Sequence, residues 1–105
     1  MREEKETMRG TINNKRKLIE VCKKNDIVFL AIFGSFVKGD FTKKSDIDLL
    51  VRFSKSKSLL ELVRIERVFS EILGRKTDLL TEASISPYLR DRIVKEMEIV
   101  YERPR

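Results

Sequence analysis

Ile27-Val28-Phe29-Leu30-Ala31-Ile32-Phe33 runs straight into Gly34-Ser35-Phe36-Val37-Lys38-Gly39, and after five intervening residues comes Ser45-Asp46-Ile47-Asp48-Leu49-Leu50-Val51. The first seven residues are apolar, rich in branched and aromatic side chains, and too few for a typical helix. They predict a strand buried on both faces, and therefore a central one. That strand delivers the chain into Gly34-Ser35, where glycine permits a tight turn and close backbone approach. Amide groups and the Ser35 hydroxyl could then face a phosphate. Taken alone, a Gly-Ser pair after a strand is more often a plain loop.

The aspartates carry more weight. A second strand is expected over Asp46 to Phe53, and residues two apart on a strand project to the same face. Asp46 and Asp48 would thus stand together in an otherwise apolar Ile-Leu-Leu-Val frame. Two like charges side by side repel unless a cation or several hydrogen bonds offset them, so the pair suggests a divalent metal site. The plain alternative makes one aspartate a turn cap and the other a surface residue. It loses weight once Gly-Ser precedes the pair at this spacing. A third acid, Asp78, opens another short apolar stretch, Lys76 to Thr81. If the strand of Asp78 lies beside that of Asp46 and Asp48, three carboxylates meet at one sheet edge, the layout used in two-metal phosphoryl or nucleotidyl transfer. On its own, Asp78 would read as structural.

Outside this segment, Met8 to Lys24 spaces Met8, Ile12, Leu18, Ile19 and Cys22 mostly three or four apart and reads as an amphipathic helix. Gly10, Asn13 and Asn14 weaken its first half. Ser58-Leu59-Leu60-Glu61 matches a capping box. Leu59, Leu62, Ile65, Phe69 and Ile72 follow at helical spacing, with Gly74 placed to end the helix. Ser86-Pro87 opens a further helix whose buried face is expected to carry Leu89, Ile93 and Met97. A last strand covers Glu98 to Glu102. The order helix, strand, strand, helix, strand, helix, strand predicts a single α/β (α+β) domain over residues 1–105, with a mixed β-sheet flanked by helices.

Composition narrows the chemistry. The chain has 105 residues, 41% of them hydrophobic, enough for one core. With no histidine, every mechanism resting on an imidazole is excluded, and the single cysteine, Cys22, allows neither an internal disulfide nor a Cys-rich zinc site. Carboxylates, lysines, arginines and hydroxyls remain, the usual ligands and clamps of magnesium and phosphate. The net charge of +6 invites an anionic partner. It is spread evenly along the chain, however, so nucleic acid is not expected as a direct partner. The longest apolar run, Ile27 to Phe33, falls far short of the ~20 residues of a membrane span, and the N-terminus is charged. A cytoplasmic protein with no membrane contact is expected. Gly34 and Gly39 bracket four residues as in a Walker loop, but Asp40-Phe41 follow where Lys and Ser or Thr belong.

Gly34-Ser35, Gly39 and Ser45-Asp46-Ile47-Asp48 together resemble the signature of the DNA polymerase β-type nucleotidyltransferase superfamily. Within it the chain resembles the minimal nucleotidyltransferases, the MNT antitoxins paired with HEPN-domain toxins. The resemblance implies a polymerase β-like fold, Mg²⁺ (two ions) and ATP as substrate. It implies that Gly34, Ser35 and Ser45 lie at the triphosphate and that Asp46 and Asp48 ligate metal. Asp78 would be the third acid, holding the catalytic metal and promoting deprotonation of the attacking hydroxyl. Lys38 stands where many relatives have arginine; it keeps the charge without the bidentate fork, which suits a phosphate contact. The implied function is transfer of AMP to a hydroxyl of a HEPN toxin, in a homo- or hetero-oligomer, with the partner supplying the acceptor recognition that so short a chain lacks. The alternative is a vestigial nucleotide-binding site in an antitoxin that neutralises its partner by binding alone.

Overall fold

The computed structural model describes residues 14–34, 37 and 46–103. Helix α1 covers residues 14–24 and turns Leu18 and Cys22, four positions apart, into the core. Burial pushes the Cys22 thiol up to about 12, so it is a small apolar core group and no nucleophile. The part of the expected helix before residue 14 lies outside the described residues.

Strand β1 (Ile27–Phe33) follows, then β2 (Ile47–Phe53), α2 (Leu59–Leu73), β3 (Thr77–Thr81), a 3-10 turn (Glu82–Ser84), α3 (Pro87–Glu96) and β4 (Glu98–Glu102). They build one mixed sheet in the order β3-β2-β1-β4. β1 is antiparallel to both β2 and β4, and β2 is parallel to β3. The apolar run of β1 is therefore central, as its composition predicts, and five of its seven residues are buried.

Alternation along the strands sorts the core into two layers. On one face Ile27, Leu30, Ile47, Leu49 and Val51 pack with Leu18 and Cys22 of α1 and with Ile65 and Phe69 of α2. On the other, Phe29, Ala31, Phe33 and Leu50 pack under Ile93 of α3, with Leu80, Ile85 and Met97 at the margin. The Ser58-Glu61 capping box is formed, and Gly74 ends α2 in the left-handed conformation with φ of 71°. Ser86 caps α3 and Pro87 takes its first position.

Two expected core positions are not buried. Leu59 is 76% exposed, because burial on α2 begins only after its first turn. Leu89 is 52% exposed, because α3 meets the sheet chiefly through Ile93. Among the described residues, no helix is long and apolar enough to cross a membrane.

Candidate active site

The strand directions bring the acids together. Because β1 and β2 are antiparallel, the end of β1 meets the start of β2, with Phe33 opposite Asp48. Because β2 and β3 are parallel, their starts are level, with Asp48 opposite Asp78. The two carboxylates project to the face that carries Leu50 and Leu80, the face α3 covers further along. Asp46 sits just before β2. The amide of Ile47 donates to the carbonyl of Lys76 at 2.9 Å, and the Lys76 ammonium lies 3.9 Å from Asp46 Oδ2.

Gly34 closes this end of the sheet. Its φ of 81° lies in the left-handed region, and a Cβ built there would stand 2.5 Å from Asp48 Oδ2. Both the turn and the closeness of the carboxylate require glycine. Beside it opens a cleft of about 270 Å³ with apolar walls including Phe33, Leu80, Ile85 and Ile93, and with Ser84, Ser86 and Arg92 also lining it.

Burial raises the affinity of Asp48 for its proton, and the charges of Asp78 and Asp46 raise it further. A bound cation would relieve both effects, so the donor set suits a hard divalent ion taken by oxygen ligands. Among the described residues, no acidic side chains are closed into a ready-made metal cage. The acids fit magnesium in the manner of open sites, where substrate phosphates complete the ligand set.

Of the residues singled out in the sequence, Gly34, Asp46, Asp48 and Asp78 come together at one sheet end. Ser35, Lys38 and Ser45 lie outside the described residues. Sequence reasoning missed Glu66 and Ser70. Glu66 Oε2 accepts from the amide of Leu79 at 2.8 Å, and Ser70 Oγ accepts from the amide of Thr77 at 3.0 Å, so α2 grips β3 on either side of Asp78. Their only signal in the sequence is two polar residues four apart, each one place beyond the buried Ile65 and Phe69.

A mixed sheet with a glycine turn and three carboxylates at one end defines a nucleotidyltransferase domain of the polymerase β kind. The sequence profile of the family "Polymerase beta, Nucleotidyltransferase" matches residues 16–105, and the chain belongs to that family. It is 45% identical over 82 residues to MJ0435 of Methanocaldococcus jannaschii, named as a candidate protein adenylyltransferase; the match covers 78% of this chain and 88% of that one. It is 31% identical over 71 residues to the protein adenylyltransferase MntA of Thermococcus cleftensis, covering 68% and 72%. In fold it is similar to a chain of the complex between tri-AMPylated Shewanella oneidensis HEPN toxin and MNT antitoxin. There the TM-score is 0.65 at 20% identity, covering 85% of this chain and 70% of that one.

Proposed function

We propose that this chain is a metal-dependent adenylyltransferase that moves AMP from ATP to a hydroxyl of a partner protein, acting as the antitoxin of a HEPN toxin. The observation that carries the reading is Asp48, a half-buried carboxylate set between the bare Cα of Gly34 and its register partner Asp78. The adenylyltransferase names of the relatives support the donor and the class of acceptor, and the HEPN–MNT complex supports the partner.

In this reading Asp46 and Asp48 would hold magnesium, with Asp78 completing the set. Two Mg²⁺ ions, when bound, would supply charge stabilisation for the oxygens of the α-phosphate and the leaving pyrophosphate. The chain's own residues do the remaining work. Gly34 leaves room for the triphosphate and for Asp48, with Ser35, Lys38 and Ser45 assigned to the phosphates. Asp78 takes the proton of the attacking hydroxyl as its oxygen bonds to the α-phosphorus and pyrophosphate departs. The exposed Lys76 ammonium pairs with Asp46 and would yield that carboxylate to a metal ion on binding. The cleft beside Gly34 offers room for one of the reactants. Histidine, of which the chain has none, has no role to fill.

The test is incubation with ATP labelled at the α-phosphate, Mg²⁺ and a HEPN toxin as acceptor. The HEPN toxin should become labelled, and Asp46→Asn or Asp48→Asn should abolish the label. Full labelling by both variants would overturn the site. Equal silencing of the toxin by both variants, without label, would instead favour neutralisation by binding alone.

A further inference from the structure

Among the described residues β3 is an edge strand, paired only with β2. An edge presents backbone donors with no strand to take them, and buried donors without partners are costly. Thr77 is 1% exposed and Leu79 half-buried, so water is a poor partner for the amides on either side of Asp78. Helix α2 supplies both acceptors, since Glu66 and Ser70 are four residues apart and share one helix face. The Ser70 hydroxyl is used twice, donating to the Glu66 carbonyl at 2.9 Å while accepting from Thr77. The two bonds pin β3 at positions 77 and 79, and the residue between them is the acid that must stay level with Asp48.

We propose that Glu66 and Ser70 are positioning residues that hold Asp78 in register with Asp48. This inference rests on the adenylyltransferase reading and extends it to residues that touch neither nucleotide nor metal. The physical reason is that β2 alone fixes only one side of β3. A carboxylate accepting from a backbone amide is among the stronger hydrogen bonds, and here it restrains the other side against sliding and rotation. Letting β3 slip would move Asp78 away from Asp48 without displacing Gly34, which follows β1 on the other side of β2.

Glu66→Met removes the acceptor and keeps a good helix former; Glu66→Gln keeps an acceptor oxygen. Ser70→Ala and Ser70→Thr form the second pair and serve if Glu66→Met does not fold. Three readouts are taken on each folded variant: amide hydrogen exchange at Thr77 and Leu79, Mn²⁺ affinity by calorimetry, and kcat and KM for ATP. In Glu66→Met or Ser70→Ala we expect the matching amide to lose protection, Mn²⁺ to bind about tenfold more weakly, and kcat to fall about tenfold, the low end for supporting groups around a metal site. KM for ATP should change little, and Gln or Thr should restore all three. Lost amide protection with unchanged Mn²⁺ affinity and kcat would overturn the proposal and leave the clamp as edge protection only. Retained protection in both truncated variants would overturn it too. A wild-type chain that binds no Mn²⁺ and transfers no AMP would instead sink the adenylyltransferase reading itself.

Discussion

Gly34→Ala separates backbone strain from damage to the site, because Gly74→Ala provides the strain alone. Both glycines are left-handed, with φ of 81° and 71°. Forcing an L-residue into that region costs ~1–2 kcal/mol in either case. For a domain of this size each kcal/mol lowers Tm by roughly 4–8 °C. The surroundings differ. A Cβ at position 74 meets nothing within 4 Å, whereas one at position 34 stands 2.5 Å from Asp48 Oδ2. To reach ordinary contact the Asp48 carboxylate must retreat by roughly 1 Å, and a misplacement of that size can cost ~100-fold in rate. Thermal unfolding, Mn²⁺ titration and the initial rate of AMP transfer should be measured on both variants. Both should lose similar stability, while only Gly34→Ala loses Mn²⁺ affinity and about two orders of magnitude in rate. Equal transfer rates in the two variants would refute the claim that Gly34 exists to seat Asp48.

The raised proton affinity of Asp48 has a signed consequence. Its folded pKa exceeds the unfolded value, so the stability it contributes is complete below the unfolded pKa and is lost as pH rises through the folded one. Without divalent cations, Tm should therefore fall across the window just above the ordinary aspartate range, and Asp48→Asn should remove that drop. Mg²⁺ affinity, which needs the ionised form, should climb through the same window; affinity independent of pH there would contradict the assignment. Away from the site, Ser58 Oγ accepts from the Glu61 amide at 3.2 Å and the Ser58 amide donates to Glu61 Oε1 at 3.3 Å. Ser58→Ala should cost ~0.5–2 kcal/mol in urea unfolding. It should leave transfer unchanged, and a loss of transfer in the folded variant would show that the start of α2 matters to the site.

Much of this arrangement is legible in the amino-acid sequence, because it rests on local rules. A seven-residue apolar run, a glycine at its end and aspartates at alternate positions specify a central strand, a left-handed turn and paired carboxylates without reference to the rest of the chain. The caps at Ser58, Gly74 and Ser86 are equally local. What depends on assembly is not legible. Asp78 joins the site only through the parallel pairing of β3 with β2, and nothing in Lys76 to Thr81 names its neighbour. Leu59 and Leu89 keep helical spacing yet lie on turns that the sheet does not cover, so periodicity overstates their burial. Glu66 and Ser70 read as solvent-side residues of an amphipathic helix until the edge of β3 is seen to lie against them.

The most direct measurement is transfer of label from α-labelled ATP to a HEPN toxin, with Asp48→Asn run beside the wild-type chain. The wild type should label the HEPN toxin only when Mg²⁺ is present, release one pyrophosphate per AMP transferred, and lose all labelling on substitution of Asp48. Labelling that survives Asp48→Asn, or that proceeds unchanged in excess chelator, would contradict the account.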